Sequence, residues 1–245
     1  MKASLIFFSI LSAAQAIKRI IGGSEVSIES YPYQVSIFVY NSFSCGGTII
    51  DHKTIITAAH SAGGNPKNPY TIRAGSASLN SGGIIVNPVK RFENDISIIK
   101  LAQNLTYGPG IQPISLPPRE DGEHDFGLGF PATGEEVVIS GWGSQSESGA
   151  LSQTLRAVTV TVVNQTECDA GYEKYGMPIT EGMFCAGVPE GGKGSCYGDS
   201  GGPVVVDGVL AGIVSWGRGC ARPGYPTVYT RVSHYRDWIA ELTGI

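Results

Sequence analysis

Runs of β-branched and aromatic residues recur along this chain, and Gly, Pro, Asn or Ser cuts each one short. Tyr33–Tyr40 alternates in part, through Val35, Ile37 and Val39. Thr48–Thr57, Asn94–Leu101, Glu136–Gly141, Leu155–Val163 and Val204–Trp216 are rich in Val, Ile and Thr. Branched side chains pack well on a pleated sheet and crowd the turns of a helix. With 34 Gly and 14 Pro, the chain is punctuated too often for long helices. The pattern predicts an all-β fold of short strands and tight turns, a sandwich or a barrel.

Helical signals are few. Asn164–Tyr175 fits a short helix capped by Asn164 or Thr166. Ser233–Leu242 offers Ser233 as cap, then Tyr235, Trp238, Ile239 and Leu242 at helical spacing. Between the β-rich stretches, Pro113–Thr133 carries four prolines around the charged run Arg119–Asp125. It reads as a surface connector between two β units. At 245 residues, the chain is long enough for one large or two small units.

Lys2, the apolar run Leu5–Leu11 and Ala14-Gln15-Ala16 form a leader with a small-x-small cleavage site. Residues 1–16 are expected to be a signal peptide, too short in its apolar part to span a bilayer. Export implies an oxidising compartment and a secreted, extracellular protein. Net charge is −4; loss of residues 1–19 removes Lys2, Lys18 and Arg19 and no acid, leaving −7. No basic stripe faces phosphates, so neither nucleic acid nor a membrane is expected as a partner. The five cysteines, Cys45, Cys168, Cys185, Cys196 and Cys220, leave one outside any internal pairing. Asn104 and Asn164 open glycosylation sequons.

Gly198-Asp199-Ser200-Gly201-Gly202-Pro203 is the sharpest local signal. A serine hydroxyl becomes a nucleophile when a base takes its proton. Flanking glycines let the backbone turn so that two N–H groups aim at one oxyanion. Thr57-Ala58-Ala59-His60 puts a candidate base at a strand end. Asn94-Asp95-Ile96 puts an acid at the head of an apolar run, where it can fix an imidazole tautomer.

Taken together, in the order His, Asp, Ser, these segments resemble the trypsin/chymotrypsin family of serine proteases. Ile20-Ile21-Gly22-Gly23, Cys45-Gly46-Gly47, Gly141-Trp142-Gly143, Ser215-Trp216-Gly217 and Pro226-Thr227-Val228-Tyr229 extend the resemblance over nearly all of residues 20–245. It implies two packed six-stranded antiparallel β-barrels with a C-terminal helix. The N-terminal barrel is expected over about 20–120, the other over about 130–232, and the helix over 233–243. It implies a triad of His60, Asp95 and Ser200 and an oxyanion hole from the N–H groups of Gly198 and Ser200. Gly194, Ser195, Ser215, Trp216, Gly217 and Thr227 are the implied substrate pocket, and Ser215–Gly217 the edge that receives an extended substrate. Disulfides Cys168–Cys185 and Cys196–Cys220 are implied, with no metal and no organic cofactor. The family's calcium loop uses acids, and Arg73–Gly83 has none.

The resemblance also implies a propeptide over 17–19, a cut after Arg19, and pairing of the new Ile20 amine with Asp199. Gly194, six residues before Ser200, stands where trypsin-type members carry Asp. The expected preference is therefore for uncharged apolar side chains, as in chymotrypsin-like or elastase-like members. Such an enzyme needs a separate trypsin-like protease to activate it. Its other partners are protein or peptide substrates and protein inhibitors, and it is expected to be a monomer. Two departures stand out: Ser61 replaces the cysteine that pairs with the equivalent of Cys45, and Asp95 follows His60 by only 35 residues, a shorter spacing than the family's.

Two rival readings exist. Gly198–Gly202 also fits the nucleophile elbow of α/β-hydrolases, with Asp207 and His234 following in order, but that fold needs helices the sequence lacks. The other rival is an inactive, protease-like binding protein.

Overall fold

A computed structural model of the chain describes residues 20–62, 69–94, 96–118 and 130–245. The expected leader, Arg19, Asp95 and the charged middle of the connector lie outside the described residues.

The strands are β1 Ser24–Glu25, β2 Gln34–Val39, β3 Ser42–Asp51, β4 Thr54–Thr57, β5 Tyr70–Ala74, β6 Ile84–Val86, β7 Pro88–Asn94, β8 Ile96–Leu101, β9 Glu136–Gly141, β10 Arg156–Val163, β11 Met183–Gly187, β12 Pro203–Val206, β13 Val209–Trp216 and β14 Thr227–Arg231. The helices are α1 Gln165–Glu173 and α2 Arg236–Thr243. Two stretches read from sequence as single runs are hairpins. Thr48–Thr57 turns at His52-Lys53, where the Asp51 carboxylate accepts from the Lys53 N–H and the Thr54 hydroxyl. Val204–Trp216 turns at Asp207-Gly208, whose φ values of 46° and 78° suit the two-residue turns that match strand twist.

In the second half, strand order is β1-β10-β11-β14-β13-β12-β9, and β9 also pairs with β10. That extra ladder closes a six-stranded barrel and leaves β1 as an added edge. Closure removes unpaired strand edges. The first half has the order β6-β5-β2-β3-β4-β8-β7. Its outer members are separated in sequence by Asn87 alone. One run of chain thus pairs with β5 and then with β8, curling the sheet around its core. The all-β, two-barrel expectation holds, with the first barrel a curled sheet.

Each half buries its own alternating residues: Val35, Ile37, Ile55 and Ile72 in the first, Val137, Ile139, Phe184 and Val204 in the second. Burying such a side chain contributes about 1.5–3 kcal/mol. A third cluster lies across the seam, where Ile56 and Ile98 meet Leu210, Ile213 and Ile239. The Ser140 hydroxyl donates to buried Gln34 across that seam at 2.6 Å. Helix α2 packs there through Ile239 and Trp238. It starts later than a Ser233 cap predicts. Ser233–Tyr235 forms a 3₁₀ turn, and the Ser233 hydroxyl donates to the Phe130 carbonyl at 3.3 Å instead. Asn164 does cap α1, accepting from the N–H groups of Thr166 and Glu167.

Candidate active site

Ser200 sits on a tight loop just before β12. The Asp199 N–H donates to the Cys196 carbonyl at 3.0 Å, Gly202 N–H to Asp199 at 2.9 Å, and Gly201 N–H to Val214 at 2.8 Å. The N–H groups of Gly198 and Ser200 have no acceptor among the described residues. Gly198 has φ 93°, a backbone that favours glycine, and a Cβ there would come within 2.6 Å of Leu151 Cδ2. The loop thus leaves two donors unused beside the nucleophile candidate.

The same loop is pressed onto the first half of the molecule. Gly46 N–H donates to the Ser200 carbonyl at 2.9 Å. A Cβ on Gly201 would lie 2.1 Å from Thr57 Oγ1 and 3.0 Å from the Ala58 nitrogen. A Cβ on Gly46 would lie 2.9 Å from Gly202 Cα. Gly201 and the end of β4 are therefore in contact, and His60 follows two residues beyond Ala58. His60 is exposed and begins the 3₁₀ turn His60–Ala62. The Ser44 hydroxyl donates to the Ser61 carbonyl at 2.9 Å, which ties this turn to β3. Cys45 is a buried thiol outside both disulfides, its Sγ 3.8 Å from Thr57 Oγ1. The two disulfides are Cys168–Cys185 and Cys196–Cys220.

Beside Ser200 opens a cleft of about 260 Å³. Ser195, Ser215, Trp216, Gly217 and Thr227, all expected pocket residues, line it with Ser200. Gly194 lies just behind. A Cβ there would be 3.5 Å from Ala221 Cβ and 3.8 Å from Thr227 Oγ1, ordinary contact, although its φ of 154° favours glycine. Among the described residues no acid lines the cleft. The buried Tyr229 hydroxyl lies against the hydroxyls of Ser195 and Thr227.

Asp199 is fully buried. Its carboxylate accepts from Gly143 N–H at 2.7 Å and Cys196 N–H at 2.9 Å. Burial pushes its pKa up to about 6, against the pull of those two donors. No cationic side chain among the described residues stands in ion-pair range of it. Gly143 is the neighbour this requires, since a Cβ there would lie 2.3 Å from the carboxyl. Ile20 is buried, and Gly194 N–H donates to the Ile21 carbonyl at 3.0 Å. Residues 20 and 21 thus run alongside Gly194.

Sequence reasoning missed several parts. Glu147 accepts from Arg222 Nε at 2.6 Å, Arg222 Nη2 at 2.8 Å and Cys220 N–H at 2.8 Å. These bonds hold its carboxyl down at about 2. Glu147 and Arg222 are 75 residues apart and carry no local signal. In Arg73–Gly83, the Arg73 guanidinium donates to the carbonyls of Gly82 and Asn80, so a side-chain cation occupies that loop. Among the described residues no group of three or more His, Cys, Asp or Glu could hold a metal. No helix among them is long and apolar enough to cross a membrane.

A family model described as Trypsin matches residues 20–239. Trypsin 5G1 of Aedes aegypti is 38% identical over 245 residues, covering 96% of this chain and 88% of that protein. Trypsin alpha of Drosophila melanogaster is 39% identical over 232 residues, covering 90% and 86%. The vitellin-degrading protease of Bombyx mori is 38% identical over 233 residues, covering 91% and 85%.

Proposed function

The chain belongs to the trypsin family of serine proteases and is a serine endopeptidase, and from that premise we propose that Ser200 is its nucleophile, His60 its general base and Asp95 the acid that orients His60. The observation that carries this reading is the seating of Gly201 on Thr57–Ala58, two residues from His60, beside the cleft that Ser200 lines. His60 takes the Ser200 proton as Oγ bonds to the substrate carbonyl carbon. The oxyanion accepts from the unused N–H groups of Gly198 and Ser200. His60 then returns the proton to the leaving amine as the C–N bond breaks, and water releases the acyl group by the same steps in reverse.

The side chain bound before the cut bond is uncharged. A guanidinium in this cleft would be buried without a carboxylate, which is costly. Gly194 supplies no charge, and the hydroxyls of Ser195, Thr227 and Tyr229 supply only polarity. Thr227 shortens the pocket, so aromatic or medium aliphatic residues fit.

The protein is secreted behind its 1–16 leader and activated by a separate trypsin-like protease that cuts after Arg19. The freed Ile20 amine pairs with Asp199. This is supported by the buried Asp199 carboxylate, held by two N–H donors and no cationic side chain. The test is to cleave the precursor after Arg19 and add a fluorophosphonate. Labelling of the wild type and not of Ser200→Ala is expected, as is cleavage of a peptide library after uncharged residues. Faster cleavage after Arg than after Phe or Leu would refute the pocket reading. No labelling would refute the triad and leave an inactive homologue.

A further inference from the structure

Immediately past the substrate edge Ser215–Gly217, four tyrosine and tryptophan rings form a continuous chain. Trp216 meets Tyr172 edge-on at 5.1 Å, Tyr172 meets Tyr225 at 6.4 Å, and Tyr225 meets Tyr175 at 6.3 Å. Two cations rest on its outer end. The Arg218 guanidinium lies 3.7 Å from the Tyr175 ring centre and 5.0 Å from that of Tyr225. Lys174 Nζ lies 5.4 Å and 5.8 Å from the same rings. Arg218 is fixed from both ends. Its N–H donates to the Tyr172 hydroxyl at 3.3 Å, and its Nη1 donates to the Tyr225 hydroxyl at 3.2 Å. The Tyr175 and Tyr225 hydroxyls are themselves 2.9 Å apart.

Neither cation is in an ion pair among the described residues. Glu147, the acid that clamps this stretch of chain, is taken up by Arg222 and Cys220. Arg218 is exposed and its Nε and Nη2 make no hydrogen bond, so a fork of donors stays open to solvent. Such a fork matches a carboxylate with two parallel bonds. Stacking on the rings holds it ready, so little freedom is lost on binding. A chain with net charge −4 has thus gathered two unneutralised cations at one place, in line with its substrate edge.

We propose that Arg218, with Lys174, Tyr175 and Tyr225, is a subsite for an acidic side chain of the protein substrate, upstream of the bond that is cut. A strand laid on Ser215–Gly217 advances about 3.3 Å per residue, so the acid stands roughly three to five residues before that bond. This rests on the protease reading above. It makes the enzyme select a sequence with two features, an uncharged residue in the cleft and a carboxylate upstream.

The experiment uses the activated enzyme and matched fluorogenic peptides that differ only at the fourth residue before the cut: Glu, Gln or Lys. Glu is expected to exceed Gln about threefold to tenfold in kcat/KM, mainly through KM, and Lys to fall below Gln. Added salt should shrink the difference. Arg218→Ala should erase the preference, and Arg218→Glu should reverse it toward Lys. Equal rates for Glu and Gln, or a preference that survives Arg218→Glu, would overturn the subsite while the protease reading stands. No hydrolysis of any peptide would overturn both.

Discussion

The wall that carries the cleft and the wall that leads to His60 are held in different ways. On the pocket side, Cys196–Cys220 joins the Ser200 loop to the stretch after β13, and Glu147 clamps Cys220 and Arg222. That side belongs to a barrel closed by the β9–β10 ladder. On the His60 side, among the described residues, the Ser44 hydroxyl donates to the Ser61 carbonyl, the Thr57 hydroxyl donates to the Gly46 carbonyl, and Cys45 packs against Thr57, with neither disulfide on that side. The sheet there curls around its core through Asn87 with no ladder between its edges. The cleft side is cross-linked by a disulfide, and the stretch leading to His60 is tied by hydrogen bonds and packing.

The largest effect tests where the two walls meet. Ser200→Ala should lower kcat by about 10⁴–10⁶-fold with little change in Tm, read from steady-state rates and a thermal melt. A modest loss would mean that the contact between the walls is not the reacting centre. Next comes the cross-link itself. Replacing Cys196 and Cys220 together by Ala should cost about 3 kcal/mol in urea unfolding and raise KM. If Cys45→Ala costs more, the ranking of the two walls is reversed.

One charge runs against the comparison, since Asp199 lies on the tightly held wall. Its carboxyl rises from the ordinary 3.8 to about 6 on folding. The folded state therefore binds the proton more tightly than the unfolded one. The contribution is fully present below pH 3.8 and is lost as pH rises to about 6, costing about 2–3 kcal/mol. The chain uncut at Arg19 should lose that stability between pH 4 and 6. The chain cut there should not, because the Ile20 amine holds the carboxylate charged. Urea midpoints of both forms across that range decide it.

Making the walls alike should have a smaller effect. Ser61→Cys should bond to Cys45 and add about 1–3 kcal/mol, with the loss of one titratable thiol as the check. An unchanged thiol count and midpoint would show that the His60 turn cannot accept the link. The smallest change is at the clamp. Glu147→Gln should raise KM slightly and leave kcat unaltered. In the wild type the same weakening should appear only in acid, as pH falls from 4.5 toward about 2, because the Arg222 bonds hold the Glu147 carboxyl charged down to there.

Much of this fold was legible because alternation and turn chemistry are local. Glu136–Gly141 and the Asn164 cap could be read directly, since each depends on residues close in sequence. The hairpin turns at His52-Lys53 and Asp207-Gly208 were hidden inside runs whose branched residues read through them. Ser233 misled because its hydroxyl has a distant partner, Phe130. At the site, the Ser200 loop and its pocket residues came from one ordered motif set. The Glu147–Arg222 clamp and the Arg218 shelf did not, because their members meet only when strands and loops far apart in sequence converge.

The contact between Gly46 and Gly202 has a further consequence, for how such an enzyme changes over generations. Backbone meets backbone there, so any side chain at Gly46 acts as a wedge between β3 and the loop that carries Ser200, its Cβ 2.9 Å from Gly202 Cα. No gradual substitution can adjust that spacing, and selection can only keep it or lose it. Gly217 and Arg218 are exposed, and a Cβ on Gly217 would make only ordinary contacts. Under the proposed roles, substitutions at the exposed pair would change what is cut, while the seam at Gly46 fixes how the two halves meet.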